Sequence, residues 1–338
     1  METSIIDKTK PVKSLVLLLA FNKPEKTQKV FEVIRKVKPK KLYVFIDGPR
    51  EGRSDDVINC NKVKVIVKKV DWECETHYSF QEKNLGCSMA GYSSWDWLFK
   101  TEEEVIFFED DGVPSECFFW YAQELLERYR YDNRIMLIHS ENFGVTQGNA
   151  SYFFTRSGSG TYGTAWWKRV HQLYEYELES YADTVNSKQF ISSFPYKLAY
   201  DIQKPSFEHY LKVGGRVYQT YDVQLLYMTN KYKMYSIVPN INMVTNIGWD
   251  EDATHNTFGK DSISKYANIT RYEITSIAHP DSLIINEHFE KWYYRYRYWN
   301  SKNWLQMAIW YYSRKIGNLI LFVPEIYHFV KKNINRTK

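Results

Sequence analysis

The chain has 338 residues, 44% of them hydrophobic and 25% charged, with a net charge of +5. That balance excludes a disordered or fibrous protein, and the length suits one large domain with additions, or two domains. The four cysteines, Cys60, Cys74, Cys87 and Cys117, lie in unrelated segments without a C-x-x-C pair, which argues against a structural zinc site and a disulfide framework.

Residues 14–21 read as a first buried strand, with Asn22 as helix cap and Pro24 in the first turn of a helix burying Val30, Phe31, Ile34 and Val37. The apolar run Leu15–Phe21 is too short for a signal core or a membrane span, so a reducing cytosol is the expected location. Residues 41–47 read as a second strand ending in Asp47-Gly48-Pro49, and Val63–Val70 as a third, edge-like strand with interspersed lysines. This opening predicts a βαβ unit and a parallel sheet. Neither G-x-G-x-x-G nor G-x-x-x-x-G-K-[ST] occurs, so neither a dinucleotide fingerprint nor a P-loop is supported. Asp47 can hydrogen-bond a base or ribose over the strand ends, or simply close an Asp-Gly-Pro turn.

After Glu82-Lys83-Asn84-Leu85-Gly86-Cys87 comes a helix through Met89, Tyr92, Trp95 and Phe99. The stretch that organises the chain follows. Val105-Ile106-Phe107-Phe108 suits a strand buried on both faces, and it ends in Glu109, Asp110 and Asp111. Gly112 and Pro114 break the strand, and Ser115 can cap a helix burying Phe118, Ala122, Leu125, Leu126 and Tyr129. Ligands bind at the carboxyl end of strands in open α/β sheets. Three adjacent carboxylates repel unless a positive group joins them, and a hard divalent cation is the usual solution. The alternative is a solvated acidic turn.

Asn84-Leu85-Gly86-Cys87, a helix, an apolar strand ending in Glu-Asp-Asp, then Pro114-Ser115 and an aromatic-rich helix resemble nucleotide-sugar glycosyltransferases of the GT-A fold. The likeness is above all to the bacterial family-2-like, haemolytic-protein-like transferases, and also to the N-acetylglucosaminyltransferase I group. Gly163-Thr164-Ala165-Trp166-Trp167-Lys168-Arg169, Tyr221-Asp222-Val223-Gln224, Ser236–Asn240 and Asn246–His255 continue it over roughly residues 14–258. Tyr162-Gly163-Thr164 stands where the family more often has Trp-Gly-Trp. The resemblance implies a GT-A catalytic domain over residues 1–260, its donor half about 14–140 and its acceptor half about 141–260, and a helical extension over 261–338.

It also implies roles. Asp111 and Asp110 would hold Mn²⁺ or Mg²⁺ on the donor diphosphate, with His255 as a further contact. Phe21, Asp47, Lys83, Asn84, Asp110 and Trp166 would line the nucleotide-sugar pocket, and Glu109 and Trp249 would face the acceptor. An acceptor hydroxyl needs a base, and Asp222 takes that place, with Glu251 and Asp252 as rivals. The implied donor is a UDP-sugar and the acceptor a glycan or lipid-linked glycan, transferred with inversion. The other readings are a sugar nucleotidyltransferase, for which residues 20–24 lack a Gly-rich basic loop, and a non-catalytic glycan-binding or scaffold protein.

Residues 291–338 carry ten Lys or Arg and one acid, Glu325, so the rest of the chain is slightly acidic. From Phe289 onward, aromatics alternate with these bases. Such a tail can lie on an anionic membrane, here the inner face of the cell membrane. Its alternative is a pair of helices packed on the catalytic domain or on a second copy of the chain. No nucleic-acid motif accompanies it.

Overall fold

The computed structural model describes residues 1–157, 163–215, 220–248, 269–299 and 312. The elements run β1 (Thr3–Ile5), β2 (Val16–Ala20), α1 (Pro24–Val37), β3 (Lys41–Ile46), α2 (Ser54–Val67), β4 (Glu75–Phe80) and α3 (Cys87–Leu98). Next come β5 (Glu104–Glu109), β6 (Gly112–Pro114), α4 (Cys117–Arg128), β7 (Ile135–His139), β8 (Tyr152–Thr155) and β9 (Gly163–Trp167). Three short helices, α5 (Lys168–His171), α6 (Tyr181–Thr184) and α7 (Lys188–Ile191), precede α8 (Lys197–Val213) and α9 (Asp222–Lys231). The remainder is β10 (Tyr235–Pro239), β11 (Val244–Asn246), β12 (Ser276–Ala278) and α10 (Glu287–Trp299).

The expected mixed α/β architecture, a mixed sheet flanked by helices, is what forms. Eight strands order as β4-β3-β2-β5-β9-β7-β10-β8. β4, β3, β2 and β5 are mutually parallel, β9 runs antiparallel between β5 and β7, and β10 is parallel to β7. The carboxyl ends of β2, β3, β4, β5, β7 and β10 therefore share one edge. Val105 to Phe108 are buried, as a strand covered on both faces requires. Burying each such side chain contributes about 1.5–3 kcal/mol, so this run alone anchors the acids that follow it.

Three local expectations are corrected. Residues Ser54–Val67 form a helix, not an edge strand over Val63–Val70. Val63 and Val67, four apart, share its buried face with Asp56 and Cys60, while Val65 is exposed. Asp55 and Asp56 in the first turn favour that helix through its dipole, and packing overrides the β-branched run. The edge is taken instead by β4. Asn22 does not cap α1: its amide donates to Asp56 Oδ1 at 2.6 Å, and Lys23 takes the cap position without a side-chain cap bond. Ser115 does not cap α4. Glu273, far along the chain, accepts from the Glu116 and Cys117 N–H groups at 2.8 and 2.9 Å. At the other end of α4, the Arg169 guanidinium donates to the carbonyls of Tyr129, Arg130, Asp132 and Ile135.

Described residues beyond the boundary expected near residue 260 contact earlier parts of the chain. β12 pairs antiparallel with β1, and Ile285 bridges to Phe154. Phe289, Tyr293 and Tyr294 of α10 are buried in a second apolar cluster with Phe143, Phe153, Tyr227 and Val238. Glu290, buried beside them, accepts from the Thr155 hydroxyl and from the Arg156 and Ser157 N–H groups. The first turns of the expected tail are thus core, not membrane surface, and its later residues lie outside the described ones. No helix of the described residues is long and apolar enough to cross a membrane.

If α10 is core, Phe289→Ala should lower unfolding free energy by about 3–5 kcal/mol, read from urea denaturation at unchanged m-value. A shift below about 1 kcal/mol would mean that α10 is an appendage.

Candidate active site

The edge of the sheet brings two groups of predicted residues together. The first is built on Asp47, the buried residue that directly follows β3. Its carboxylate accepts from the N–H groups of Gly48, Leu85 and Gly86 at 2.8, 2.8 and 3.1 Å, and from the Asn84 amide at 2.9 Å. Burial pushes its pKa up, opposed by those three N–H groups. Asp47 and Asn84 are therefore a latch that ties the loop after β4 to the end of β3. The backbone of Lys83 passes so close to Gly48 that a Cβ there would stand 2.5 Å from it, and the Lys83 side chain is exposed.

The second group surrounds the end of β5. Phe21 donates its N–H to Asp110 Oδ2 at 3.0 Å, so the turn after β2 is held to the turn after β5. The Lys23 ammonium lies 3.1 Å from Asp111 Oδ2, with both side chains mostly buried. Burial works against its charge, but Asp111, Asp110 and Glu109 outweigh burial and raise its pKa. Tyr221, just before α9, threads its ring between α3 and the sheet and donates its hydroxyl to Glu109 Oε1. Gly91 of α3 makes room for that ring, since a Cβ there would stand 2.7 Å from it. The next residue, Asp222, begins α9 close enough that its charge, after burial and Asp111, helps raise Glu109.

The electrostatics follow. Burial, then Asp111, then Asp222 and Asp110 push the Glu109 carboxyl up to about 8, against the Tyr221 hydrogen bond. Burial also raises Asp110, to about 6, with Lys23 pulling down and Asp111 pushing up. The Cys87 thiol alongside is raised well above its ordinary value by burial, then by the charges of Glu109, Asp222 and Asp111.

Trp166 is a correction. It pairs with Val105, at the end of β5 opposite Glu109, and is buried edge-on against Trp95 at 4.7 Å. It is a core residue, at the far end of β5 from the three acids. Trp249, Glu251, Asp252 and His255 lie outside the described residues. Sequence reasoning missed Lys23 and Tyr221. It also missed Arg50, which grips Asp56 through Nε and Nη2 at 2.6 and 2.9 Å and stacks over the Phe21 ring. Tyr221 is adjacent to the quoted Asp222; Lys23 carries no signal beyond its place one residue before Pro24.

A divalent cation fits at Asp111. Its Oδ1 is buried without a hydrogen-bond partner among the described residues, and the Lys23 ammonium already stands at Oδ2 as a cation would. The backbone of Gly248 closes against the same carboxylate, leaving no room for a side chain. Among the described residues no three His, Cys, Asp or Glu side chains converge as a complete metal cage.

No protein-family model matches the chain, and no curated protein does. Solved structures do. The 4-diphosphocytidyl-2C-methyl-D-erythritol synthase of Anaerococcus prevotii aligns at 11% identity over 52% of this chain and 78% of its own, with a TM-score of 0.30. A UDP-glucose pyrophosphorylase complexed with UDP-glucose aligns at 9% identity over 48% and 78%, TM-score 0.31. Mouse xyloside xylosyltransferase 1 aligns at 8% identity over 81% and 99%, TM-score 0.34.

Because the folded-state pKa of Glu109 is raised, its proton stabilises the fold below pH about 4.5, and that contribution is lost as pH rises towards about 8. Glu109→Gln should remove this slope, so that urea midpoints of wild type fall more steeply between those pH values than those of the variant. Parallel profiles would mean that Glu109 is charged in the native protein.

Proposed function

We propose that this chain is a nucleotide-sugar glycosyltransferase of the GT-A type, with the donor held over the carboxyl ends of β2, β3 and β5. The observation that supports it best is the approach of Asp222 to Glu109. Tyr221 is 112 residues from Glu109 in the chain and bonds to it directly, and the adjacent Asp222 is near enough that its charge helps raise the Glu109 carboxyl. A transferase needs that division: one set of groups to hold a diphosphate and another to take a proton.

In this reading the Asp47–Asn84 latch shapes the nucleoside pocket, with Lys83 and Phe21 at its rim. Asp110 and Asp111 face the diphosphate. Mn²⁺ or Mg²⁺ at Asp111 supplies charge neutralisation for the leaving diphosphate when bound. The Asp222 carboxylate accepts the proton of an acceptor hydroxyl as its oxygen forms a bond to the anomeric carbon. The bond from that carbon to the phosphate oxygen breaks, the electron pair leaves with the nucleoside diphosphate, and a single displacement inverts the anomeric centre. Glu109, protonated and fixed by Tyr221, borders the acceptor side without adding another charge. The donor is a UDP-sugar and the acceptor a hydroxyl of a glycan or lipid-linked glycan.

Calorimetric titration with UDP, GDP, CMP and ADP, in Mn²⁺ and in EDTA, tests the donor site. One nucleotide should bind in a metal-dependent way and lose that binding in Asp111→Ala; silence across the panel would leave a glycan-binding or scaffold role. With the donor identified, Asp222→Asn should lower kcat by about 10²–10⁴-fold while nucleotide affinity stays within a factor of about three. Full turnover in that variant would pass the base to the Glu251–Asp252 pair.

A further inference from the structure

The acid cluster already holds a cation, and it belongs to the chain. Lys23 reaches Asp111 from the turn between β2 and α1, and Asp110 and Glu109 also act on its charge. The contact is not a surface pair: the two side chains are 21% and 13% exposed. Lys23 sits at the cap position of α1, a 14-residue helix with Pro24 at its start. Its backbone is thereby set, while its flexible four-carbon stem lets the ammonium move without it. Asp111 meanwhile keeps Oδ1 buried and unpartnered.

These facts conflict with simple binding of either ligand alone. A divalent ion arriving by itself meets a fixed ammonium at the carboxylate it needs, and displacing that ammonium strands a half-buried charge. A nucleoside diphosphate arriving by itself meets carboxylates, with Lys23 as the cation on Asp111. When both arrive, every charge finds a partner. The Lys23 ammonium would then be free to turn from Asp111 to a phosphate oxygen, and Asp111 would hold the divalent ion, which would supply the charge that the diphosphate needs.

We propose that Lys23 is a resident counter-ion that couples the two ligands, so that the divalent cation and the nucleoside diphosphate enter as a pair. This rests on the transferase reading above. It makes Lys23 a positioning residue with a thermodynamic signature, since each ligand must strengthen the other by the same factor.

The test is titration of Mn²⁺ alone, UDP alone in EDTA, and Mn²⁺ in saturating UDP, on wild type, Lys23→Met and Lys23→Arg, each checked for an unchanged thermal midpoint. In Lys23→Met, Mn²⁺ alone should bind about tenfold tighter, because the bare carboxylates have lost their own cation. UDP alone should bind about tenfold weaker. The enhancement of Mn²⁺ binding by UDP, on the order of 5–150-fold in wild type, should shrink, and Lys23→Arg should stay close to wild type. Shifts of opposite sign for the two ligands cannot come from misfolding. Mn²⁺ binding no tighter in Lys23→Met than in wild type overturns the proposal. If UDP binds none of the proteins even with Mn²⁺, the transferase reading fails and the exchange fails with it. The Mn²⁺-alone comparison then still decides whether Lys23 is the resident counter-ion.

Discussion

Mutual repulsion among carboxylates is the constraint on which the sheet's working edge depends. Glu109, Asp110 and Asp111 follow a strand buried on both faces, so they cannot spread apart without unseating Val105–Phe108 from the core. Asp222 is then brought to the same place. The chain meets this load with three devices drawn from three segments. The Phe21 N–H satisfies Asp110, the Lys23 ammonium offsets Asp111, and the Tyr221 hydroxyl serves Glu109, whose raised pKa removes one charge near neutral pH.

The scaffold around that edge uses few but distant ties. Helix α4, which packs behind β5, is closed at its start by Glu273 and at its end by Arg169. Burial opposes the Glu273 charge, but Lys8 and the two N–H groups hold its carboxyl below the usual range. The pair β6–β11 continues directly from Asp111, and the Ile247 N–H donates to the Asp111 carbonyl. Each tie fixes the direction in which the acids leave the strand, so the geometry of the acid cluster is set by residues outside it.

The strands β2, β3 and β5 and the acids at the end of β5 are legible in the sequence because a run buried on both faces leaves an unbroken apolar signature that polar residues end abruptly. The same logic misreads Val63–Val70. β-Branched residues signal burial as well as strand, and only the i, i+4 pairing of Val63 with Val67 on a neighbouring helix resolves the two. Trp166 is misassigned for a related reason: an aromatic in a sugar-transferase-like segment reads as a stacking surface, yet its register with Val105 sets it at the far end of the strand. Caps supplied from more than a hundred residues away, and a lysine that neutralises acids met only in three dimensions, leave no local trace.

The stitching of late residues to early ones has a consequence for biosynthesis. β8 joins the sheet only through β10, β1 has no partner until β12 is made, and the turn after β8 waits for Glu290. On a ribosome adding about 5–20 residues per second, roughly 7–27 seconds separate the emergence of Thr155 from that of Glu290. For that interval the nascent chain carries an open sheet edge, and for most of it the start of α4 still waits for Glu273. A chaperone that shields edges during translation would act on this protein between those two moments, and a premature stop anywhere before residue 290 would release an unfinished body instead of a smaller enzyme.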